Sequence, residues 1–198
     1  MLASGTGTNL QAILDTVHGG RVDVVAVASD KRGAPALERA AAAGVDSQVF
    51  ELADHPGREA RDAAMAGWLE GIGVDLVVLS GYMQLLGDGF IRRFRNRVIN
   101  VHPALLPAFP GLNAVGQAVE HGVRVTGVTV HFVDEGVDTG PILLQEAVEL
   151  TYTRPMAEVL EQIHAVEHRL LPRAIELIAA GSVSFDGDNP RLVRVDDR

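Results

Sequence analysis

Short apolar runs and segments of helical spacing take turns along the first hundred residues of the chain. Val22 to Ala28, Val74 to Leu79 and Arg97 to Val101 are dense in valine, isoleucine and leucine, the composition of strands covered on both faces. Between them, Asn9 to Val17, Ala34 to Ala43 and Arg58 to Gly71 place apolar residues at helical intervals, with glycine near several ends. Strand then helix, repeated, predicts an α/β fold with a doubly wound, mostly parallel sheet and helices on both faces. Gln48 to Glu51 is a weaker strand candidate. Ser4-Gly5-Thr6-Gly7 reads as the turn that leaves a strand, yet only Met1-Leu2-Ala3 precede it, so several residues of the first strand are expected to lie before this numbering.

The second half is patterned differently. Asn113 to Glu120 has helical spacing and ends before Gly122, Val125 to Val133 alternates with period two, and Ile142 to Leu150 forms a further strand candidate. Pro155 to Ala180 carries the longest helical stripe of the chain, with Pro172 expected to kink it. The segment from Ser182 is polar and is read as a loose tail. With 198 residues there is room for one domain and a substantial core but not for two full domains.

Composition narrows the partners. A net charge of -9 argues against a nucleic-acid backbone, whose binding requires a basic stripe that neutralises phosphates. The absence of cysteine removes disulfides and thiolate metal ligands and fits a reducing, cytoplasmic setting. No apolar stretch reaches membrane-spanning length.

Chemistry concentrates at three places. Asn100 and His102 stand two residues apart at the end of the Arg97 to Val101 run, so a strand would project both to one face. The loop that follows, through Pro103, Pro107 and Pro110 to Gly111, would lie at the carboxyl end of that strand, where open parallel sheets bind ligands. Asp138 lies in the glycine-rich stretch Val133 to Pro141, where a carboxylate could orient or charge a histidine. Asn100 and His102 could be a structural strand end whose side chains only satisfy loop backbone; with Asp138, amide, imidazole and carboxylate together suit acyl transfer. Asp134, Glu135 and Asp138 could equally be solvated turn acids; a metal reading lacks calcium-loop spacing. His131, inside an apolar strand, reads as a packed, hydrogen-bonded core residue.

The third place is Ser4 to Leu10, whose glycines would let backbone N–H groups approach an anion at the start of a helix. Three readings stay open from spacing alone: a phosphate site, a dinucleotide turn with Asp30 as ribose acceptor, and a purely structural turn. The third glycine of the dinucleotide fingerprint is missing. Gly81 to Leu86 could line an apolar slot for a flat ligand or simply pack. Without a cysteine or a Gly-x-Ser-x-Gly elbow, direct transfer between two bound substrates is favoured over a covalent acyl-enzyme.

Ser4 to Ile13, Asn100 to Pro107 and His131 to Pro141 together resemble the signatures of the phosphoribosylglycinamide formyltransferase family, over nearly the whole chain. The Asn-x-His and Asp blocks resemble folate-dependent formyltransferases generally, and the first loop resembles the purine-pathway enzyme in particular. The resemblance implies one formyltransferase domain: a Rossmann-like phosphate-binding half over 1–100, a folate and catalytic half over 101–181, and a polar tail over 182–198. It implies formyl transfer from 10-formyltetrahydrofolate to glycinamide ribonucleotide, with Asn100, His102 and Asp138 catalytic and no metal. Gly7, Thr8 and Asn9 match positions that hold the substrate phosphate, and His164 and Glu167 match positions near the same substrate. Arg58, the segment Met83, Gln84, Leu85 and Leu86, and the loop Asp134, Glu135, Gly136 and Val137 match the folate side. Leu106-Pro107 matches a bond that is cis in relatives, and relatives carry the expectation of a homodimer. Two departures concern substrate contacts: Asn113 and Val115 replace histidines found in some members, and the first strand is short. A formyltetrahydrofolate hydrolase, a methionyl-tRNA formyltransferase and a non-catalytic nucleotide-binding module are the competing functions. The first two usually carry extra domains, and the last would leave Asn100, His102 and Asp138 idle.

Overall fold

Leu2 is the pivot of the first half of the chain. In the computed structural model, which describes residues 1–151 and 155–196, Leu2 makes parallel bridges to Ala28 on one side and Leu79 on the other and is completely buried. The chain divides into two units, Met1–Asn100 and Val101–Arg198. In order, the first contains α1 (Thr8–Thr16), β1 (Ala26–Ser29), α2 (Pro35–Ala42), β2 (Asp46–Val49), a 3-10 turn (Leu52–Asp54), α3 (Arg58–Gly71), β3 (Val77–Leu79) and α4 (Asp88–Arg93). It closes with β4 (Val98–His102), whose last two residues begin the second unit.

β1 pairs in parallel with β2, and β3 with β4. Across the first unit the order is therefore β2, β1, Leu2, β3, β4, stepping outward from Leu2 and then restarting on its other side. That reversal is the switch point at which a doubly wound sheet leaves a crevice beyond its carboxyl ends. Two loops open there, Ser4 to Gly7 after Leu2 and Ser80 to Gly87 after β3, and they are tied together: Ser4 N–H donates to the Gly81 carbonyl at 3.1 Å, and Met83 N–H donates to Ser4 Oγ at 2.9 Å. Behind them Ala3, Leu10, Val27, Ala36, Ala40 and Val45 form one buried cluster joining α1 and α2 to β1.

The strands are shorter than the apolar runs predict, because flanking groups are spent elsewhere. Val22 bridges His18 rather than extending β1, and Val24 N–H donates to His18 Nδ1 at 3.1 Å. Val74 N–H closes the end of α3 on the Leu69 carbonyl at 3.1 Å. β2 begins two residues before the segment expected and is mostly exposed along its length, as an edge strand. α2 starts on Pro35, with Ala34 extended before it, since proline presets the first helical turn and excludes helix from the residue preceding it. α4, absent from the sequence expectation, is only six residues long, too short to show a period. Its acid is in the first turn and its arginines in the last, matching the helix dipole, and it buries Phe90 and Ile91.

The second unit holds α5 (Ala114–Glu120), β5 (Val125–Phe132), β6 (Ile142–Glu149), α6 (Met156–Ala179), β7 (Val183–Phe185) and β8 (Val193–Val195). β5 and β6 are antiparallel, with an irregularity between Val130 and His131, and α6 packs on both. Every residue of β5 from Thr126 to Phe132 is buried; the Thr129 hydroxyl and the His131 ring are hydrogen-bonded internally, while the buried Thr126 hydroxyl finds no hydrogen-bond partner among the described residues. α6 continues through the buried Pro172 as one helix, so the expected kink does not divide it.

The loose tail expected from Ser182 is corrected. Val183, Phe185, Val193 and Val195 alternate with polar residues and pair as an antiparallel hairpin. Its turn is held by Asp186, whose Oδ1 accepts the N–H groups of Asp188 at 3.0 Å and Asn189 at 2.9 Å. Phe185 packs against Phe132 with ring centroids 4.8 Å apart, and Leu192 bridges Ile142, which docks the hairpin beside β6.

Candidate active site

β4 ends on Asn100 and His102, the pair the sequence marks as candidates. Val98, Ile99 and Val101 are buried and Asn100 is half-buried, so the strand fixes Asn100 and His102 on one face two residues apart. His102 is 5% exposed. The loop beyond it is set by the Thr129 hydroxyl, which donates to the Ala104 carbonyl at 2.6 Å and accepts from Leu106 N–H at 3.1 Å. Gln145 Nε2 donates to the Leu106 carbonyl and to Thr129 Oγ1, both at 2.9 Å. The Leu106-Pro107 bond is cis.

Held in this way, the loop folds back over His102, and the Phe109 carbonyl lies 2.8 Å from Nε2. Because a carbonyl only accepts, Nε2 carries the proton. The other nitrogen, Nδ1, faces Asp138 Oδ2 at 3.4 Å. Asp138 takes a positive φ of 52°, a conformation that aspartate tolerates better than most side chains. Its Oδ2 accepts the Gly111 N–H at 2.7 Å. The next residues are forced into place by Gly140, where a Cβ would lie 1.8 Å from the Phe132 carbonyl oxygen.

Asp138 has a second imidazole partner. His131 Nε2 lies 3.5 Å from Asp138 Oδ1, and His131 Nδ1 lies 2.8 Å from the Phe132 carbonyl. Burial pushes the Asp138 carboxyl up, but the hydrogen bond from His131, the Gly111 N–H and the two imidazoles outweigh it, so the group sits below the ordinary carboxylate range. An ionised acid thus lies between two rings, each with an acceptor at both nitrogens.

At the switch point of the first unit, Gly7 is in the left-handed conformation at the N-cap of α1. A Cβ there would lie 2.8 Å from the Cα and Cβ of Ala36, so only glycine fits. The first turn, starting at Thr8 and the buried Asn9, has neither an acidic residue nor a side-chain cap, and Arg39 braces the loop through the Thr6 carbonyl at 2.8 Å. A helix start of this kind favours an anion. Asp30, the ribose acceptor of the dinucleotide reading, is buried and spends Oδ2 on Gln84 Nε2 at 3.0 Å.

A family model described as formyl transferase matches residues 1–175. The chain belongs to the formyl transferase family. The phosphoribosylglycinamide formyltransferase of Mycobacterium tuberculosis strain CDC 1551 is 45% identical over 195 residues, 98% of this chain and 90% of that protein. The trifunctional purine biosynthetic protein adenosine-3 of Drosophila pseudoobscura pseudoobscura is 43% identical over 187 residues, 92% of this chain. The chain spans 14% of the length of that relative. Among solved structures, glycinamide ribonucleotide transformylase 1 from Symbiobacterium toebii superimposes with a TM-score of 0.94 at 50% identity, covering 99% of this chain and 92% of that one. The fold is the α/β formyl transferase fold.

The remaining expected residues fall as follows. Met83 and Leu85 are 55% and 59% exposed, while Gln84 and Leu86 between and beyond them are half-buried, so the segment presents an apolar face outward. Arg58 is exposed at the first residue of α3. In the second unit, Asp134 Oδ1 staples its loop by accepting from Gly136 N–H at 3.1 Å and Thr139 Oγ1 at 2.6 Å, leaving Glu135, Gly136 and Val137 exposed. His164 and Glu167 lie one turn apart on α6, the first exposed and the second buried. Asn113 takes a left-handed conformation at the N-cap of α5, and Val115 is buried in that helix.

Two groups were not singled out from sequence as parts of a site. His131 was read as core, and it is buried, but its ring also faces Asp138; its place at the end of β5, just before the acid's loop, was the available signal. Arg61 is fully buried, and no sequence rule separates it from the exposed arginines around it.

Proposed function

We propose that this chain transfers the formyl group of 10-formyltetrahydrofolate to the amino group of glycinamide ribonucleotide. The observation that carries the reading is the contact of buried His102 with partly buried Asp138 at the end of β4, with Asn100 two residues before it. The amine nitrogen attacks the formyl carbon, forming a C–N bond and a tetrahedral oxyanion. The bond from that carbon to the folate nitrogen then breaks, and the proton lost by the attacking nitrogen ends on the leaving one. Asn100 and His102 supply donors to the oxyanion. His102 does so at Nε2 when the formyl oxygen takes the place of the Phe109 carbonyl. Asp138 holds the charge of the His102 ring and relays the proton between the two nitrogens.

Gly7, Thr8 and Asn9 hold the substrate phosphate on the helix start, and His164 and Glu167 contact the same substrate. Met83 to Leu86 with Arg58, and Asp134 to Val137, take the folate, whose flat ring suits the apolar face of Met83 and Leu85. The domain reads as a phosphate-binding half over 1–100 and a catalytic half over 101–181. No helix among the described residues is long and apolar enough to cross a membrane, and the reading places the enzyme in the cytoplasm as a homodimer acting on small molecules. Incubation with formyl donor plus glycinamide ribonucleotide, and separately with formyl donor in water, tests it. Formylated ribonucleotide in the first reaction and negligible folate release in the second are expected. Release of formate at equal rates in both would make the protein a hydrolase, and no turnover in either would leave a binding module.

A further inference from the structure

We propose that Arg61 is a positioning residue for the formyl-donor segment, locking residues 83–87 from behind through a buried ion pair. Its guanidinium is 0% exposed and sits beside an almost equally buried Asp62. Nε and Nη2 donate to Asp62 Oδ1 at 2.9 and 2.7 Å. The remaining reach of the fork goes to the loop after β3: Nη1 to Gln84 Oε1 at 3.2 Å and Nη2 to the Leu85 carbonyl at 3.4 Å. The other Asp62 oxygen accepts the Gly87 N–H at 2.7 Å. Gln84 passes the chain on, donating to Asp30 at the end of β1. One ion pair on α3 thereby fixes three positions of a segment that has neither helix nor strand of its own.

Stability does not explain such a pair. Desolvating two charges costs as much as their attraction returns, and an apolar pair of the same volume commonly serves as well. A planar fork with several fixed donors does what an apolar pair cannot: it sets a side-chain amide and a carbonyl at defined positions. The consequence is on the outer face. With Gln84 held inward, Met83 and Leu85 are turned out together, and these are the large apolar side chains the segment exposes.

This inference rests on the assignment of Met83 to Leu86 to the folate side. The test uses the full chain carrying Arg61→Met with Asp62→Leu, which removes the charges together and avoids stranding a buried carboxylate, and separately Arg61→Lys, which keeps the charge but not the fork. The double variant is expected to raise the KM for 10-formyltetrahydrofolate about tenfold, equivalent to roughly 1.4 kcal/mol, with the KM for glycinamide ribonucleotide changed less than about twofold. Arg61→Lys should give an intermediate rise. In the absence of substrates, the Met83 amide, bonded to Ser4 and to neither replaced side chain, should exchange about tenfold faster in the double variant. An unchanged donor KM, equal rises for both substrates, wild-type behaviour of Arg61→Lys, or unchanged Met83 exchange each overturns the proposal. If the wild-type chain formylates nothing, the functional reading fails, and the exchange rate alone still decides whether Arg61 holds the segment.

Discussion

His102 stands with an acceptor at each ring nitrogen, and that position defines the residue-scale chemistry. On the proposed reading, replacing it by alanine removes both an oxyanion donor and the partner of Asp138, and Asn100→Ala removes the neighbouring donor on the same strand face. Each substitution should lower kcat by about 10² to 10³, the usual cost of losing one oxyanion donor. KM for either substrate should shift only a few-fold, because these donors act on charge that exists only in the transition state. Initial rates at saturating substrates check this, and near-normal turnover in either variant would remove that residue from the mechanism. The letters Asn100-Val101-His102 and Asp138 were legible as candidates, since period two aligns the first pair. The role of His131 was not, because a histidine in an apolar strand has the same signature whether it only packs or also meets an acid from another loop.

At the scale of elements, the start of α1 carries the clearest consequence. Its first turn lacks any acid, so an added carboxylate there would normally strengthen the helix through its dipole. If the same turn holds a phosphate, Asn9→Asp sets like charge against like. Because Asn9 is buried, the variant should melt somewhat below the wild-type temperature, the desolvation of the new carboxylate outweighing its interaction with the dipole, and should raise the KM for glycinamide ribonucleotide far more than that for the folate. Steady-state kinetics with each substrate varied in turn, beside a melting curve, measures both effects; equal KM changes would displace the phosphate from this loop. Elements with a long period or a proline start, such as α2, α3 and α6, were readable in the chain. α4 and the 3-10 turn were not, being shorter than the repeat that would reveal them. The β7–β8 hairpin was missed because its apolar residues are few and its turn is strongly polar.

For the molecule as a whole, acid is the informative variable. Asp138 lies below the ordinary carboxylate value of 3.8. Asp186 is held down chiefly by the Asn189 and Asp188 N–H groups and Arg194, and Glu70 by its bond with Arg93. Burial and the neighbouring His164 lower the His168 imidazole from 6.5. Each is a group whose pKa is depressed in the folded state, so the unfolded chain binds the proton first on acidification. Their stabilisation is complete above the unfolded values and is lost as pH falls through the folded ones. The melting temperature should decline gently below about pH 6.5 and steeply below about pH 4, and Asp138→Asn should flatten the steep part. A melting temperature constant down to pH 3 in dilute buffer would contradict the assigned shifts.

The order of the longer helices and of the main strands, the glycine turn before α1 and the candidacy of Asn100, His102 and Asp138 were determined by the sequence itself, because periodicity and local backbone preference are properties of neighbouring residues. Tertiary structure alone decided that the Asp138 loop reaches both His102 and His131. It also decided that β5 is buried on both faces from Thr126 to Phe132, and that a buried arginine on α3 bonds to a loop more than twenty residues further on. Those outcomes depend on which distant surfaces close against each other, and the free energy of that closure is shared among many contacts that leave no mark on any one stretch of the chain.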